Sequence, residues 1–444
     1  MRPRLLLAAL TLATSAHADR AHRAVSGVAI DRVTIDDKPG RWIDLATPKK
    51  PALYTVHFDA EGEAVGIPHC NGRERVRVDD DVVDPGSKGP LVVPLKPGPH
   101  VVTIEIKASP YAKRLACAEP PRVGVPVTTT DGLSVLRFSS PVSARGGGEA
   151  VVFVPGGHDS TKPAALLVGT HPWNGTPWTY AAYRELLAEA GQKDMVLLFP
   201  NGLGNSLYVA DAEDEVMRAI DAVTKEIAID PQRVSIWGAS MGGAGATTIA
   251  FHRPDRFAYV ASYFGDSKYD LNTYVNKLFG GEQNARQVNA IDVLENARHL
   301  PVFLVHGEDD HTSPIRQSTM LFEAMKKSGF TVDFERVPKM AHEGPLVIKY
   351  IRRVVDEAAV AIAPARPERV SFRSVRAGDV SAYGVTIERV SPATDAFVDL
   401  ERKDDGIHVL AADGVTRITL APDALGGGKP TILPASVPLT WAAR

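Results

Sequence analysis

The chain has 444 residues, 44% of them apolar and 23% charged, with a formal net charge of −3. That length allows about two to four domains. So mild a charge, with no Lys/Arg block, argues against a nucleic-acid or anionic-membrane partner.

Taken from the N-terminus, "MRPRLLLAALTLATSAHA" has arginines at positions 2 and 4 and an apolar run from Leu5 to Ala13. Ala16-His17-Ala18 then forms a small-residue cleavage site. This is the layout of a signal peptide over residues 1–18, with an apolar run too short to span a bilayer. An uncleaved anchor is the alternative reading. Cleavage would remove two arginines and no acids, leaving a net charge of −5. A soluble, exported protein is expected, secreted or periplasmic, with no membrane span. Cys70 and Cys117 lie in the same N-terminal region. In an oxidising compartment they can form a disulfide or remain two thiols, and spacing alone leaves both open.

Residues 25–127 read as short strands. "ALYTVHFDA", "RERVRVD", "GPLVVPL" and "HVVTIEIKA" alternate apolar and polar side chains between Gly, Pro and Asp clusters, the pattern of a small β-sandwich. From 132 to 362 strands and helices alternate instead. Eight strand-like runs are expected: "LSVLRF", "EAVVFVP", "AALLVGT", "MVLLFP", "RVSIW", "FAYVASYF", "PVFLVHG" and "TVDFERV". The first two lie close enough for a hairpin. Between 211 and 228, Val216, Ile220, Val223 and Ile227 form one apolar helical stripe. "SPIRQSTMLFEAMKKSG" and "PLVIKYIRRVVDEA" are two further helices. Continuous apolar strands joined by helices predict an α/β domain with a mostly parallel sheet covered on both faces. After the linker "APARPERV", residues 366–444 return to strand-like runs and predict a second small all-β module.

Within the α/β region, "IWGASMGGAG" places Ser240 where a buried strand hands over to a small-residue helix. A turn this sharp forces the serine into an unfavourable backbone conformation and leaves no room for side chains two residues either side, hence Gly238 and Gly242. The hydroxyl then stands at the carboxyl edge of the sheet, where parallel α/β sheets bind ligands. A serine alcohol needs a base, and the base needs a carboxylate to orient it. The chain order expected on this sheet is serine, acid, histidine. "EDDHTSP", after the seventh strand, offers Asp309 and Asp310, and "KMAHEGP", after the eighth, offers His342. Asp266, after the sixth strand, is a rival acid. His306 reads as a structural, hydrogen-bonded residue at a strand end.

This arrangement resembles the α/β-hydrolase fold, in particular its secreted esterase, polyester-depolymerase and prolyl-oligopeptidase-like branch. "IWGASMGGAG", "HGEDDHTSP" and "AHEGP" carry the resemblance, together with "DPQRVSIWG" and "HRPDRFAYV". It implies an eight-stranded sheet with Ser240, Asp310 and His342 as the catalytic triad, because the family's acid falls four residues after the histidine of "HG". The oxyanion donors are then the backbone N–H of Met241 and one from "HPWNGTPW". The family reads His-Gly-Gly there. This chain has His171-Pro172-Trp173, and proline has no N–H, so Trp173 is the expected donor with the Asn174 side chain as a fallback.

Trp178 and Tyr180 are expected to contact substrate, beside Trp173 and Tyr183. A second aromatic cluster, Tyr263, Phe264, Tyr269, Tyr274 and Phe279, opens the longest insertion, about 265–298, a candidate lid. The expected activity is ester hydrolysis through an acyl-enzyme, on a small-molecule or polymeric ester, without metal or organic cofactor. The N-terminal region has room for barely two propeller blades of about 40 residues, so an open site and esters are favoured over the gated peptidase layout. A serine peptidase of simpler layout is the alternative. A third reading is a degenerate hydrolase whose β modules hold a polysaccharide or polymer surface.

Overall fold

The computed structural model describes residues 132–442 apart from 143–146, 182, 272 and 280, and, N-terminal to these, 29–35, 37–39, 52–60, 64–67, 73–79, 81–84, 91–94 and 98–107. The candidate signal peptide, Cys70 and Cys117 lie outside the described residues. No helix among the described residues is long and apolar enough to cross a membrane.

The N-terminal strands form an antiparallel sheet in the order Lys38–Pro39, Ala29–Ile35, Ala52–Ala60, Gly98–Ile106, Arg73–Val78, Asp81–Asp84. Ala64–Ile67 pairs separately with Leu91–Pro94. Alternation decides the buried face: Tyr54, Val56, Val76, Val78, Val102, Ile104 and Ile106 are buried, while Leu53, Arg75 and Arg77 are exposed.

The central domain is built on eight strands: β1 (Gly132–Ser139), β2 (Gly147–Val154), β3 (Ala164–Thr170), β4 (Met195–Pro200), β5 (Ile229–Ala239), β6 (Tyr259–Tyr263), β7 (Val302–Gly307) and β8 (Val332–Val337). Their spatial order is β1-β2-β4-β3-β5-β6-β7-β8. β1 and β2 form an antiparallel hairpin and β2 runs antiparallel to β4, while the remaining pairings are parallel. All eight expected runs are strands of this one sheet. Every residue of β3, β4, β6 and β7 is buried, because helices cover both faces.

The five longer helices are α1 (Arg184–Gln192), α2 (Asp211–Glu226), α3 (Met241–His252), α4 (Arg316–Lys327) and α5 (Pro345–Val360). On one face of the sheet the stripe Val216, Ile220, Val223 and Ile227 joins Ile236, Val260, Leu304 and the α3 residues Ile249 and Phe251 in one core. On the other, Leu167, Phe199, Trp237, Tyr263 and Phe303 meet Leu346, Ile351 and Val354 of α5.

Two expectations need correcting here. The 265–298 insertion is folded into the first core, with Tyr269, Val275, Ala285, Val288, Val293 and Ala297 buried among its members, so its apolar side is part of the domain wall. Tyr263, Phe264 and Tyr269 are likewise core rings, and Phe279 stacks on Tyr269 at 5.2 Å. The side chain of Tyr274 lies outside the described residues.

The C-terminal strands make a three-stranded sheet, Arg369–Ser374, Ala396–Lys403 and Gly406–Asp413, and a four-stranded one, Ser381–Ala382, Val385–Arg389, Val415–Leu420 and Leu439–Trp441. Phe372, Val385, Ile387, Val398, Leu400, Ile407, Ile418 and Leu420 fill the space between them.

This module is joined to the C-terminal end of α3 by buried charge. Glu213 accepts from Arg376 at 2.7 Å and from Arg253 at 2.8 Å, and Asp379 accepts from Arg376 at 2.9 Å and from His252. The Tyr383 hydroxyl donates to the Pro254 carbonyl at 2.8 Å. Twelve residues of helix separate this junction from Ser240, roughly 18 Å at the helical rise. The module is therefore a brace at the far end of α3.

Asp379→Ala leaves His252 without its carboxylate and Arg376 with Glu213 alone. We expect a loss of about 3–5 kcal/mol in urea unfolding at neutral pH, and a loss below about 1 kcal/mol would contradict the brace. Burial pushes the Asp379 carboxyl up, but the His252 hydrogen bond and the charges of His252 and Arg376 outweigh it and hold it below its ordinary value. A carboxyl lowered on folding stabilises above its unfolded value, about pH 4, and that share fades as pH falls through the folded value.

Candidate active site

β5 ends in the centre of the sheet, and the chain turns directly into α3. Ser240 sits in that turn at φ 57°, ψ −123°, a conformation L residues avoid unless their surroundings fix it. Several contacts do so. The Ser240 amide donates to the Tyr263 carbonyl at 2.9 Å, and the Thr170 hydroxyl bonds the carbonyls of Trp237 at 2.9 Å and Gly242 at 2.7 Å. The two glycines are obligatory for space. A Cβ on Gly242 would stand 1.8 Å from the Thr170 carbonyl oxygen, and one on Gly238 would stand 2.4 Å from that of Gly242.

Asp310 and His342 come from the loops that follow β7 and β8, on the same edge of the sheet. The Ser240 hydroxyl lies 2.7 Å from Nε2 of His342, and Nδ1 of His342 lies 2.7 Å from Oδ2 of Asp310. The second oxygen of Asp310 accepts the backbone N–H groups of Thr312 at 2.8 Å and Ser313 at 2.9 Å. Burial alone would raise the Asp310 carboxyl. The hydrogen bonds from His306, His342 and the Ser313 amide more than offset it, holding the group far below the ordinary carboxylate range. Asp310 thus stays ionised, accepting a proton-bearing Nδ1 and leaving Nε2 to face the serine.

Neighbouring groups fix the relay. His306, fully buried, places Nε2 at 2.7 Å from the Ser313 carbonyl and 3.2 Å from Asp310, while the Ser318 hydroxyl meets Nδ1 at 2.8 Å. That is the structural role read from its strand-end position. The Phe264 ring lies 4.5 Å from the His342 ring, and Phe264 itself is at φ 40°. Asp266, the rival acid, accepts the Ser313 hydroxyl at 2.5 Å instead of the imidazole, and burial raises its carboxyl. It lines the acid loop and leaves Asp310 as the partner of His342.

The other expected site residues are placed differently. Met241 heads α3 immediately after the serine. Trp173 is 38% exposed in a turn closed by the Gly175 amide on the Pro172 carbonyl at 2.8 Å. At Asn174, the fallback, the backbone amide donates to Asn205 at 2.7 Å and the side-chain oxygen accepts from Asn205 at 2.9 Å, which holds the side chain against the 201–210 loop. Tyr180 is not on a substrate surface either. It is buried, stacked 4.3 Å from Trp237, and its hydroxyl accepts the Ala239 amide at 3.0 Å, next to the serine. The aromatic character of "HPWNGTPWTYAAY" told nothing of this, because burial depends on Phe199 of β4 and Trp237 of β5 arriving from elsewhere. Trp178 is half-buried against the same core. His171 anchors its loop, with Nε2 at 2.9 Å from the Asn201 carbonyl. Burial lowers the imidazole's proton affinity, against the pull of the Pro172 and Asn201 carbonyls.

Residues 204–359 match the prolyl oligopeptidase family. The chain is 28% identical over 152 residues to the uncharacterized peptidase YuxL of Bacillus subtilis, covering 29% of this chain and 22% of that one. It is 25% identical over 222 residues to dipeptidyl-peptidase 5 of Porphyromonas endodontalis, covering 43% and 32%. The chain thus spans under a third of the length of either relative. Among solved structures, an S-formylglutathione hydrolase from Agrobacterium tumefaciens superposes with a TM-score of 0.46 at 19% identity, covering 53% of this chain and 98% of that one. An acylaminoacyl peptidase of Pyrococcus horikoshii superposes with a TM-score of 0.47 at 15% identity, covering 70% and 55%. The central domain has the α/β-hydrolase fold.

Proposed function

We propose that this chain hydrolyses carboxylic esters through a covalent acyl-enzyme, with Ser240 as nucleophile, His342 as general base and Asp310 as its orienting carboxylate. The observation that carries the reading is the unbroken relay from hydroxyl to imidazole to carboxylate, 2.7 Å at each step. As Ser240 Oγ attacks the ester carbonyl, its proton passes to Nε2 of His342, and the imidazolium is stabilised by ionised Asp310. The tetrahedral oxyanion forms beside the Met241 amide and the Trp173 amide. His342 then delivers its proton to the departing alkoxide. Water, activated by the same imidazole, releases the acid. The substrate class is a small-molecule or polymeric ester, and the N-terminal 18 residues suit an exported enzyme, secreted or periplasmic.

Esters are favoured because the described N-terminal strands make an antiparallel sheet and a hairpin-like pair, and the C-terminal module docks at the far end of α3. Neither arrangement supports a gate restricting the site to small peptides. Peptide hydrolysis is the second reading, favoured by the prolyl oligopeptidase match over 204–359. Turnover of p-nitrophenyl acetate and of aminoacyl p-nitroanilides by one preparation separates them. Ester kcat/KM is expected to exceed that for arylamides by at least about a hundredfold, some 2.7 kcal/mol of barrier. Faster arylamide cleavage, lost in Ser240→Ala, would replace the ester reading with the peptidase one.

A further inference from the structure

The connection between β4 and α2, residues 201–210, drew no attention in the sequence, yet its backbone is unusual. Leu203, Leu207, Tyr208 and Ala210 stand at φ 58°, 60°, 56° and 51°. Four non-glycine residues in the left-handed region within eight positions survive only where contacts over-determine the loop, and such strain gathers at functional sites.

The contacts that hold it converge on the turn offered above as the second oxyanion donor. Tyr208 is fully buried, and its hydroxyl accepts the His171 amide at 2.8 Å. Its ring meets the His171 imidazole edge-on at 5.6 Å. The other side of the ring presses on α3 where Gly245 has no side chain, its nearest atoms 2.6 Å from where a Cβ would stand. One ring therefore touches both the His171 loop and the helix that begins after Ser240. Asn205 takes the Asn174 amide at 2.7 Å and returns a hydrogen bond to the Asn174 side chain at 2.9 Å. The Asn201 carbonyl meets His171 Nε2 at 2.9 Å.

The turn itself is exposed at Trp173 and Asn174, carries internal bonds from the Gly175 amide and from His171 Nδ1 to the Pro172 carbonyl, and is held from outside by these contacts. Oxyanion donors act only when held about 2.7–3.1 Å from the developing charge, and a drift of about 1 Å costs on the order of a hundredfold in rate.

We propose that the Asn201–Ala210 loop clamps the oxyanion turn, with Asn205 and Tyr208 as positioning residues for turnover. This rests on the hydrolase reading. The clamp acts on the transition state and leaves ground-state ester binding untouched, which sets it apart from a merely structural loop.

The test is steady-state hydrolysis of p-nitrophenyl acetate by the wild type, Asn205→Ala and Tyr208→Phe, with inhibition by phenylboronic acid, whose serine adduct is tetrahedral. Asn205→Ala is decisive, because its exposed side chain can be removed without opening the core. The clamp predicts a kcat about tenfold or more lower, a KM changed by less than about twofold, and an inhibition constant rising in step with the fall in kcat. Tyr208→Phe should behave alike, with some added loss of stability from the unpaired His171 amide. An active wild type whose Asn205→Ala variant keeps kcat and boronate affinity refutes the clamp alone. A wild type with no ester or amide turnover refutes the hydrolase reading and the clamp with it.

Discussion

His342→Ala lowers kcat/KM on p-nitrophenyl esters by about 10^5-fold or more, the scale on which a general base is missed in a serine relay, while the protein keeps its fold. The side chain lies on a loop after β8, its ring touching Phe264, and among the described residues it hydrogen-bonds Ser240 and Asp310. Its removal takes away no packing that holds the sheet together. Circular dichroism and unfolding midpoint should match the wild type. The pH dependence of the wild type follows from Asp310. Burial would raise that carboxyl, but hydrogen bonds from His306, His342 and the Ser313 amide hold it far below the ordinary range. The acid is therefore ionised throughout the working range and adds no protonation step of its own to the acid limb of kcat/KM. Two protonation steps in the acid limb of kcat/KM would contradict this. So would an active His342→Ala.

Gly242→Ala acts in the opposite manner, by destroying the turn. Its Cβ would lie 1.8 Å from the Thr170 carbonyl oxygen and 2.8 Å from that of His171, both backbone atoms that no rotamer change can move aside. β3 and α3 must separate, and the Thr170 bonds to Trp237 and Gly242 break with them. Overpacking of this kind typically costs about 1–3 kcal/mol and more when backbone must shift. We expect a protein with a lowered unfolding midpoint and activity down by at least about a thousandfold, since the relay tolerates little displacement. A Gly242→Ala variant with normal stability and turnover would show that the approach of β3 to α3 is looser than the structure has it.

These two residues also show what the sequence could and could not convey. Gly238 and Gly242 are conspicuous because a strand-to-helix turn with a buried neighbour admits no other residue, and the requirement is local. Asp310 and His342 are visible for a related reason: each follows a strand of the same parallel sheet, so its edge of the sheet is known before the fold is. Wholly buried apolar runs announce β3, β4, β6 and β7, while β8 carries Asp333, Glu335 and Arg336 among its apolar residues.

Residues whose role depends on what another segment brings to them stayed hidden. Tyr180 read as a substrate contact because its loop is aromatic, yet Phe199 and Trp237 pack against its ring and its hydroxyl accepts the Ala239 amide. In the strand Ala396–Lys403, Asp399, Glu401 and Arg402 interrupt the apolar alternation that would mark it in the sequence. Asp399 is explained by Arg369, 2.7 Å away on the paired strand, and by Arg298 at 3.8 Å. The Asn201–Ala210 loop has an unremarkable composition, and its strain appears only in φ. The Glu213–Arg376 contact joins positions 163 residues apart, beyond any local pattern.

One measurement bears on the whole account. A fluorophosphonate probe, followed by digestion and mass spectrometry, should place a single phosphonyl adduct on Ser240, formed rapidly by the wild type, slowly by His342→Ala and not at all by Ser240→Ala. A wild type that stays unlabelled, or carries the adduct on a different serine, would contradict the assignment of Ser240 as an activated nucleophile.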